Sequence, residues 1–211
     1  MNQARPLIAL LFLGDEQTPA TFSAIESAGG DVAVFSVEEP LPPDTVGLCV
    51  SGSGSFGVSG EAAPPALDIA LSAGIPVLCI DAGMQALNIA LGGGSPVPVA
   101  GHSGPASGAG DETSPTRHGI FMALGSKLAE TIGGAGSVMA SGSHTHGVTR
   151  ALQAPGTLAS AYALADGVLE AIEVPGQAWV IGVQWRAQAL DEQPSGFDNL
   201  FHALVGISSE G

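Results

Sequence analysis

The chain runs into seven consecutive apolar residues, Leu7 to Leu13, and then into Gly14 and two acids. Short apolar runs recur at Asp31 to Val37, Val46 to Val50, Ile75 to Ile80 and Trp179 to Trp185. Each is too short for a buried helix and rich in β-branched residues, so each predicts a strand covered on both faces. Helical patterns separate the early runs. Thr18 predicts an N-cap with Pro19 at the first helical position, and the helix should stop at Gly29-Gly30. Ala66 to Ala73 predicts a second helix. Met84, Leu87 and Leu91 place one apolar stripe on a third, ended by Gly92 to Gly94. Alternating strand and helix predicts a parallel, doubly wound α/β sheet with helices on both faces.

After Gly94 the pattern loosens. Ser95 to Thr116, rich in Gly, Ser and Pro, predicts a long loop. A strand is expected at His118 to Met122 and a short helix at Ser126 to Ile132. Further strands are expected at Ser137 to Met139 with Val148, at Ala159 to Leu164 and at Val168 to Val174. Phe197 to Val205 predicts the closing helix. Neither an internal repeat nor a linker interrupts the chain, so residues 1–211 are expected to form a single domain.

The stretch Gly74 to Gly94 organises the rest. Only Asp81, Ala82 and Gly83 lie between its strand and its helix. Such a turn pushes one side chain out above the carboxyl edge of the sheet, where many α/β enzymes carry a nucleophile. Here that side chain is Asp81. It could cap the helix through its free amides or play another structural role. It could instead touch a bound small molecule, or act as a catalytic carboxylate with His144 or His146 as base.

Composition narrows the partners. Of 211 residues, 45% are hydrophobic and only 12% charged, with a net charge of −15 and five basic side chains. That charge disfavours nucleic acid and anionic lipid as partners. No apolar run reaches the roughly 20 residues needed to span a bilayer. Cys49 and Cys79 lie in apolar strand-like runs and are expected to be buried free thiols, which points to the cytoplasm. His144 and His146, two apart on a strand, would share one face and could reach a metal together with Asp81. Without a clear third ligand no metal site is assigned. His102, His118 and His202 are expected to be loop or framework residues, and Trp179 and Trp185 core. Gly52, Gly54 and Gly57 have the look of a phosphate-cradling run, but no lysine follows them.

Three passages carry a family resemblance. Pro76-Val-Leu-Cys-Ile-Asp-Ala-Gly-Met-Gln85, followed by Leu87-Asn-Ile-Ala-Leu-Gly-Gly93, resembles a nucleophile elbow of the form Pro-Val-Leu-Gly-Ile-Cys-Arg-Gly-Met-Gln. Ala165-Asp-Gly-Val-Leu-Glu-Ala-Ile-Glu173 is similar to Asp-Gly-Val-Ile-Glu-Ala-Ile-Glu. Gly182-Val-Gln-Trp185 resembles the start of Gly-Val-Gln-Trp-His-Pro-Glu. Their order and spacing resemble class I glutamine amidotransferases, closest to the γ-glutamyl hydrolase-like branch (peptidase C26). The resemblance covers roughly Gly74 to Val205 and implies a flavodoxin-like α/β fold.

The same resemblance implies a Cys-His-Glu triad, and this chain lacks it. The three positions hold Asp81, Arg186 and Gln188. Cys79, two residues back along the strand, points to the core side of the sheet and cannot substitute. The oxyanion segment is represented by Ser51-Gly52-Ser53. The family's Asn-Ser-x-His-His segment has become Gly142-Ser143-His144-Thr145-His146. The candidate ligand-binding residues are Gly52, Asp81, Gln85, His144 and His146.

These substitutions predict a degenerate amidotransferase, without thiol chemistry and without a cofactor. It is expected to act as a binding or partner subunit, beside a synthetase-like protein or another copy of itself. A small γ-glutamyl-type molecule is the expected ligand. An Asp81–Arg186 ion pair is expected where the catalytic dyad would have stood. The alternative is an active hydrolase of γ-glutamyl amides using Asp81 with His144 or His146.

Overall fold

A computed structural model describes residues 4–14, 19–103, 116–176 and 179–209. Strand β1 is Leu7–Leu13, and its alternation sets up two layers. Ile8 and Leu10 join one apolar cluster, while Ala9 and Leu11 join the other. This is the period-2 consequence of a strand covered on both faces.

Helix α1 (Pro19–Ser27) leads to β2 (Asp31–Phe35), and β3 is Gly47–Gly52. Thr18, the expected cap of α1, lies outside the described residues. Helix α2 (Pro65–Ala73) ends in a left-handed Gly74 with φ 69°, a conformation a side chain would oppose. Then come β4 (Val77–Asp81), α3 (Ala82–Ala90) and the two-residue β5 (Val97–Pro98). Most of the expected long loop, residues 104–115, lies outside the described residues. The second half continues with β6 (Thr116–Met122), α4 (Lys127–Ile132), β7 (Gly136–Gly142) and β8 (His146–Gly147). It closes with β9 (Leu158–Ala163), β10 (Leu169–Glu173), β11 (Val180–Val183) and α5 (Asn199–Ser208).

One nine-stranded sheet takes the order β2-β1-β3-β4-β11-β10-β9-β6-β7, and β5 pairs with β8 apart from it. From β2 to β11 every pairing is parallel. From β11 to β7 every pairing is antiparallel. The fold is thus the expected flavodoxin-like α/β type, with an antiparallel extension on one side. Helices α1, α4 and α5 cover one face through Ile25, Leu128 and Phe201. Helices α2 and α3 cover the other through Leu67, Met84 and Leu87. Trp179 and Trp185 are core residues as expected, and Cys49 and Cys79 are buried free thiols. Burial pushes both thiols far above their ordinary pKa, so neither is a nucleophile. Among the described residues no helix is long and apolar enough to cross a membrane.

This topology places three residues at one edge. Asp81 ends β4 at the carboxyl side of the parallel strands. Ala171 pairs with Val183, so Glu170 on β10 and Gln184 beyond β11 reach the same edge.

Candidate functional site

Asp81 occupies a true elbow. Its backbone has φ 55° and ψ −114°, outside the ordinary allowed regions for a residue with a side chain. Close packing holds it there. A Cβ on Gly83 would meet the Val50 carbonyl oxygen at 2.1 Å. One on Gly52, paired with Asp81 across β3 and β4, would meet the Leu13 carbonyl oxygen at 2.6 Å. Helix α3 therefore starts pressed against β3, and the turn has no room to relax.

The Asp81 side chain does not cap α3, as one reading of the sequence expected. The strained backbone aims it back along the sheet edge, where its Oδ1 accepts a 2.7 Å hydrogen bond from Nε2 of Gln184. It is only 3% exposed. Burial pushes its pKa well above the usual carboxylate range, against the opposing effects of the Gln184 bond and the Arg186 charge, and the Glu170 charge adds to the rise.

The expected Asp81–Arg186 ion pair is absent: no contact within 4.0 Å joins the two. Arg186 turns outward, its Nη1 3.9 Å from Glu192 Oε2, with both side chains about one third exposed. A guanidinium keeps its water there at little cost, whereas entering the sheet edge beside Asp81 would require desolvation. Gln188, at the third triad position, is buried with its Oε1 unpartnered.

Gln85 is fully buried and spans the site. Its Oε1 accepts from the Phe56 amide at 2.8 Å. Its Nε2 donates to the His146 carbonyl at 3.1 Å and to Gln184 Oε1 at 3.2 Å. Both of its amide protons are thus spent on the protein. The glycine-rich loop after β3 is drawn in through Phe56 and through Ser55, whose hydroxyl lies 2.9 Å from His146 Nδ1. His146 also contacts Thr145 Oγ1 at 3.1 Å. Neither His144 nor His146 bonds to Asp81.

His144 looks elsewhere. Its Nδ1 lies 3.1 Å from the His146 carbonyl, and its Nε2 faces Glu170 Oε1 at 3.5 Å. Two further histidines converge on the same oxygen: His118 Nε2 at 2.8 Å and His102 Nδ1 at 3.2 Å. His102 and His118, expected as loop or framework residues, are therefore half of a buried cluster with His144 and Glu170. The ring centroids of His102 lie 4.7 Å from His118 and 4.6 Å from His144. Burial alone would raise the Glu170 pKa, but the three imidazoles hold it well below the usual range. Asp166 meets His102 Nε2 at 2.9 Å. Burial lowers the His102 pKa, and the bonds to Glu170 and Asp166 outweigh it, for a net rise.

Spacing could not reveal this cluster. His102 follows β5, His118 lies in β6, His144 sits between β7 and β8, and Glu170 is on β10. The backbone bonds Val99 N to Thr145 O and His144 N to His102 O, 2.9 and 3.0 Å, are what bring the first loop against the third.

Residues 64–188, more than half of the chain, match the Peptidase C26 family. The chain belongs to this family. A Mycobacterium tuberculosis protein provisionally named a glutamine amidotransferase is 35% identical over 89% of the chain. The chain spans 66% of that relative's length, just under two thirds. In structure, the C26 chain resembles a Thermoplasma acidophilum protein provisionally named as one of the subunits of GMP synthase. The TM-score is 0.67 over 99% of this chain and 96% of the other, at 16% identity, a likeness of fold. The elbow and its flanking glycines thus sit in a class I glutamine amidotransferase-like framework.

Proposed function

We propose that this C26 family member is a degenerate glutamine amidotransferase, without thiol-dependent amidase activity, that works as a binding or partner subunit. The observation that carries the reading is the bond partner of Asp81. At the nucleophile position stands a buried carboxyl held by a neutral amide, Gln184, and not by a base. A triad needs its nucleophile bonded to a proton acceptor that a third group orients. Here the side chains at the other two positions are Arg186, which faces Glu192, and Gln188. Burial also favours the protonated form of Asp81, and a neutral carboxyl does not attack an amide.

The partner role rests on family resemblance and on the subunit name of the Thermoplasma protein. A small γ-glutamyl-type molecule is the ligand the framework suits, and a synthetase-like protein or a second copy of the chain is the partner.

Glutamate release from glutamine and a panel of γ-glutamyl amides tests the reading. The expected result is no release above a buffer control. Turnover that disappears in Asp81→Ala would overturn it in favour of a hydrolase using Asp81. The strained backbone at Asp81 is the feature that favours this second reading.

A further inference from the structure

We propose that His102, His118, His144 and Glu170 form a Zn2+ site beside the elbow, built onto the antiparallel half of the sheet. One ligand atom from each residue lies within 4.8 Å of all the others. The three nitrogens stand 3.2, 2.8 and 3.5 Å from Glu170 Oε1. Four ligands about 2.0–2.1 Å from a tetrahedral Zn2+ are separated from one another by about 3.4 Å. The three N···O separations thus lie within about 0.6 Å of that spacing, and the widest ligand-atom separations, up to 4.8 Å, would close by about 1.4 Å around the ion.

Hydrogen-bond accounting supplies the independent reason. His144 Nδ1 faces a carbonyl oxygen, which can only accept, so this nitrogen carries the proton. A neutral His144 then aims the lone pair of Nε2 at Glu170 Oε1, and Nε2 has no hydrogen-bond partner. His102 repeats the pattern. Its Nε2 meets the Asp166 carboxylate and so donates; in the neutral ring, the form that binds a metal, Nδ1 then turns a lone pair toward Oε1, again without hydrogen-bond geometry. Glu170 Oε2 is also unpartnered. Two lone pairs and a carboxylate oxygen thus converge where His102 is 3%, His144 1% and Glu170 0% exposed. His118 Nε2 donates the one hydrogen bond that Oε1 accepts here, and the other two nitrogens turn lone pairs toward the same oxygen with no donor of their own, which is costly in a buried place. A cation among them removes the cost.

The outer contacts fit a metal as well. Metal-binding histidines usually donate their second nitrogen to a carboxylate or a backbone carbonyl, which fixes the tautomer and the ring. Asp166 does this for His102 and the His146 carbonyl does it for His144. Three imidazoles and a carboxylate suit Zn2+. A closed, buried set of four protein ligands makes the site structural.

The test uses the whole chain. Purified protein is stripped with a chelator, incubated with excess Zn2+, desalted and assayed for metal by mass spectrometry. The expected result is about one Zn2+ per chain, with a melting temperature that falls on stripping and recovers with Zn2+. Co2+ in place of Zn2+ should give the visible absorption of a tetrahedral centre. Glu170→Gln and His102→Asn should each lower Zn2+ affinity by at least about 10-fold, while His202→Asn, on the exposed side of α5, should leave it unchanged. Stripped wild-type protein that retains less than about a tenth of an equivalent of Zn2+ and melts at the same temperature with and without it would overturn the site. So would full Zn2+ binding by a folded Glu170→Gln/His102→Asn double variant. The wild-type arm does not depend on any variant folding.

Discussion

Gln184 Nε2 lies 2.7 Å from Asp81 Oδ1, and Gln184 Oε1 lies 3.2 Å from Gln85 Nε2. One amide thus joins the elbow residue to the glutamine that ties down the glycine-rich loop. Removing it leaves a carboxyl oxygen and an amide proton without partners in a buried place. Gln184→Ala should destabilise the protein by about 1–3 kcal/mol, measured by urea denaturation at neutral pH.

The burial of Asp81 makes stability depend on pH in a defined direction. A carboxyl whose folded pKa is raised binds its proton more tightly in the native state than in the unfolded state. Its full contribution is present below the unfolded pKa of about 3.9. Stability is then lost as pH rises through that value toward the folded pKa. Asp81→Asn removes this loss. The variant should melt about 2–4 °C above the parent at pH 8, the equivalent of roughly 1 kcal/mol in a chain of this size, with a smaller difference at pH 4. Calorimetry at the two pH values reads the outcome; a variant that loses stability equally at both contradicts it.

Arg186 faces Glu192 across 3.9 Å and is not paired with Asp81. A double-mutant cycle with Asp81→Asn and Arg186→Ala should therefore give a coupling energy within about 0.5 kcal/mol of zero. Arg186→Ala alone should cost at most about 1 kcal/mol, the value of an exposed pair. A larger coupling would restore the ion pair that the sequence suggested.

A thiol alone should not confer amidase chemistry on the elbow. Asp81→Cys places sulfur on the elbow, but the side chains beside it remain Arg186 and Gln188. Loss of a general base costs on the order of 10²–10⁴-fold in rate. Glutamate release by the single variant should fall at least about 10²-fold below that of an Asp81→Cys/Arg186→His/Gln188→Glu triple variant. Equal rates in the two would show that another group supplies the base.

The expected elements map closely onto the observed ones. β1 spans Leu7–Leu13 as predicted, and the final helix is offset by two or three residues, at Asn199–Ser208. Periodicity reports burial, and these elements exist to be buried. The elbow was legible because Gly83 and the flanking residues are fixed by backbone packing, which leaves little choice of residue. The roles of individual side chains were less so. The Asp81–Arg186 pairing assumed that neighbouring positions imply touching side chains, whereas desolvation sends Arg186 outward. The histidine cluster escaped because its members come from four segments that only the β5–β8 ladder and the antiparallel strands bring together. The one available signal was that Glu170 falls in a passage shared with the family.

The strain at Asp81 has a meaning for how such a chain can change. A residue held at positive φ costs on the order of 1–3 kcal/mol, and here Gly52, Gly83 and the carbonyls they press against hold it in place. None of those contacts involves a reacting group. The corner therefore does not depend on the chemistry it carries, and side chains at positions 81, 186 and 188 can be exchanged without refolding the frame. A protein arranged in this way can take on either a binding role or a catalytic one at the same corner by a handful of substitutions.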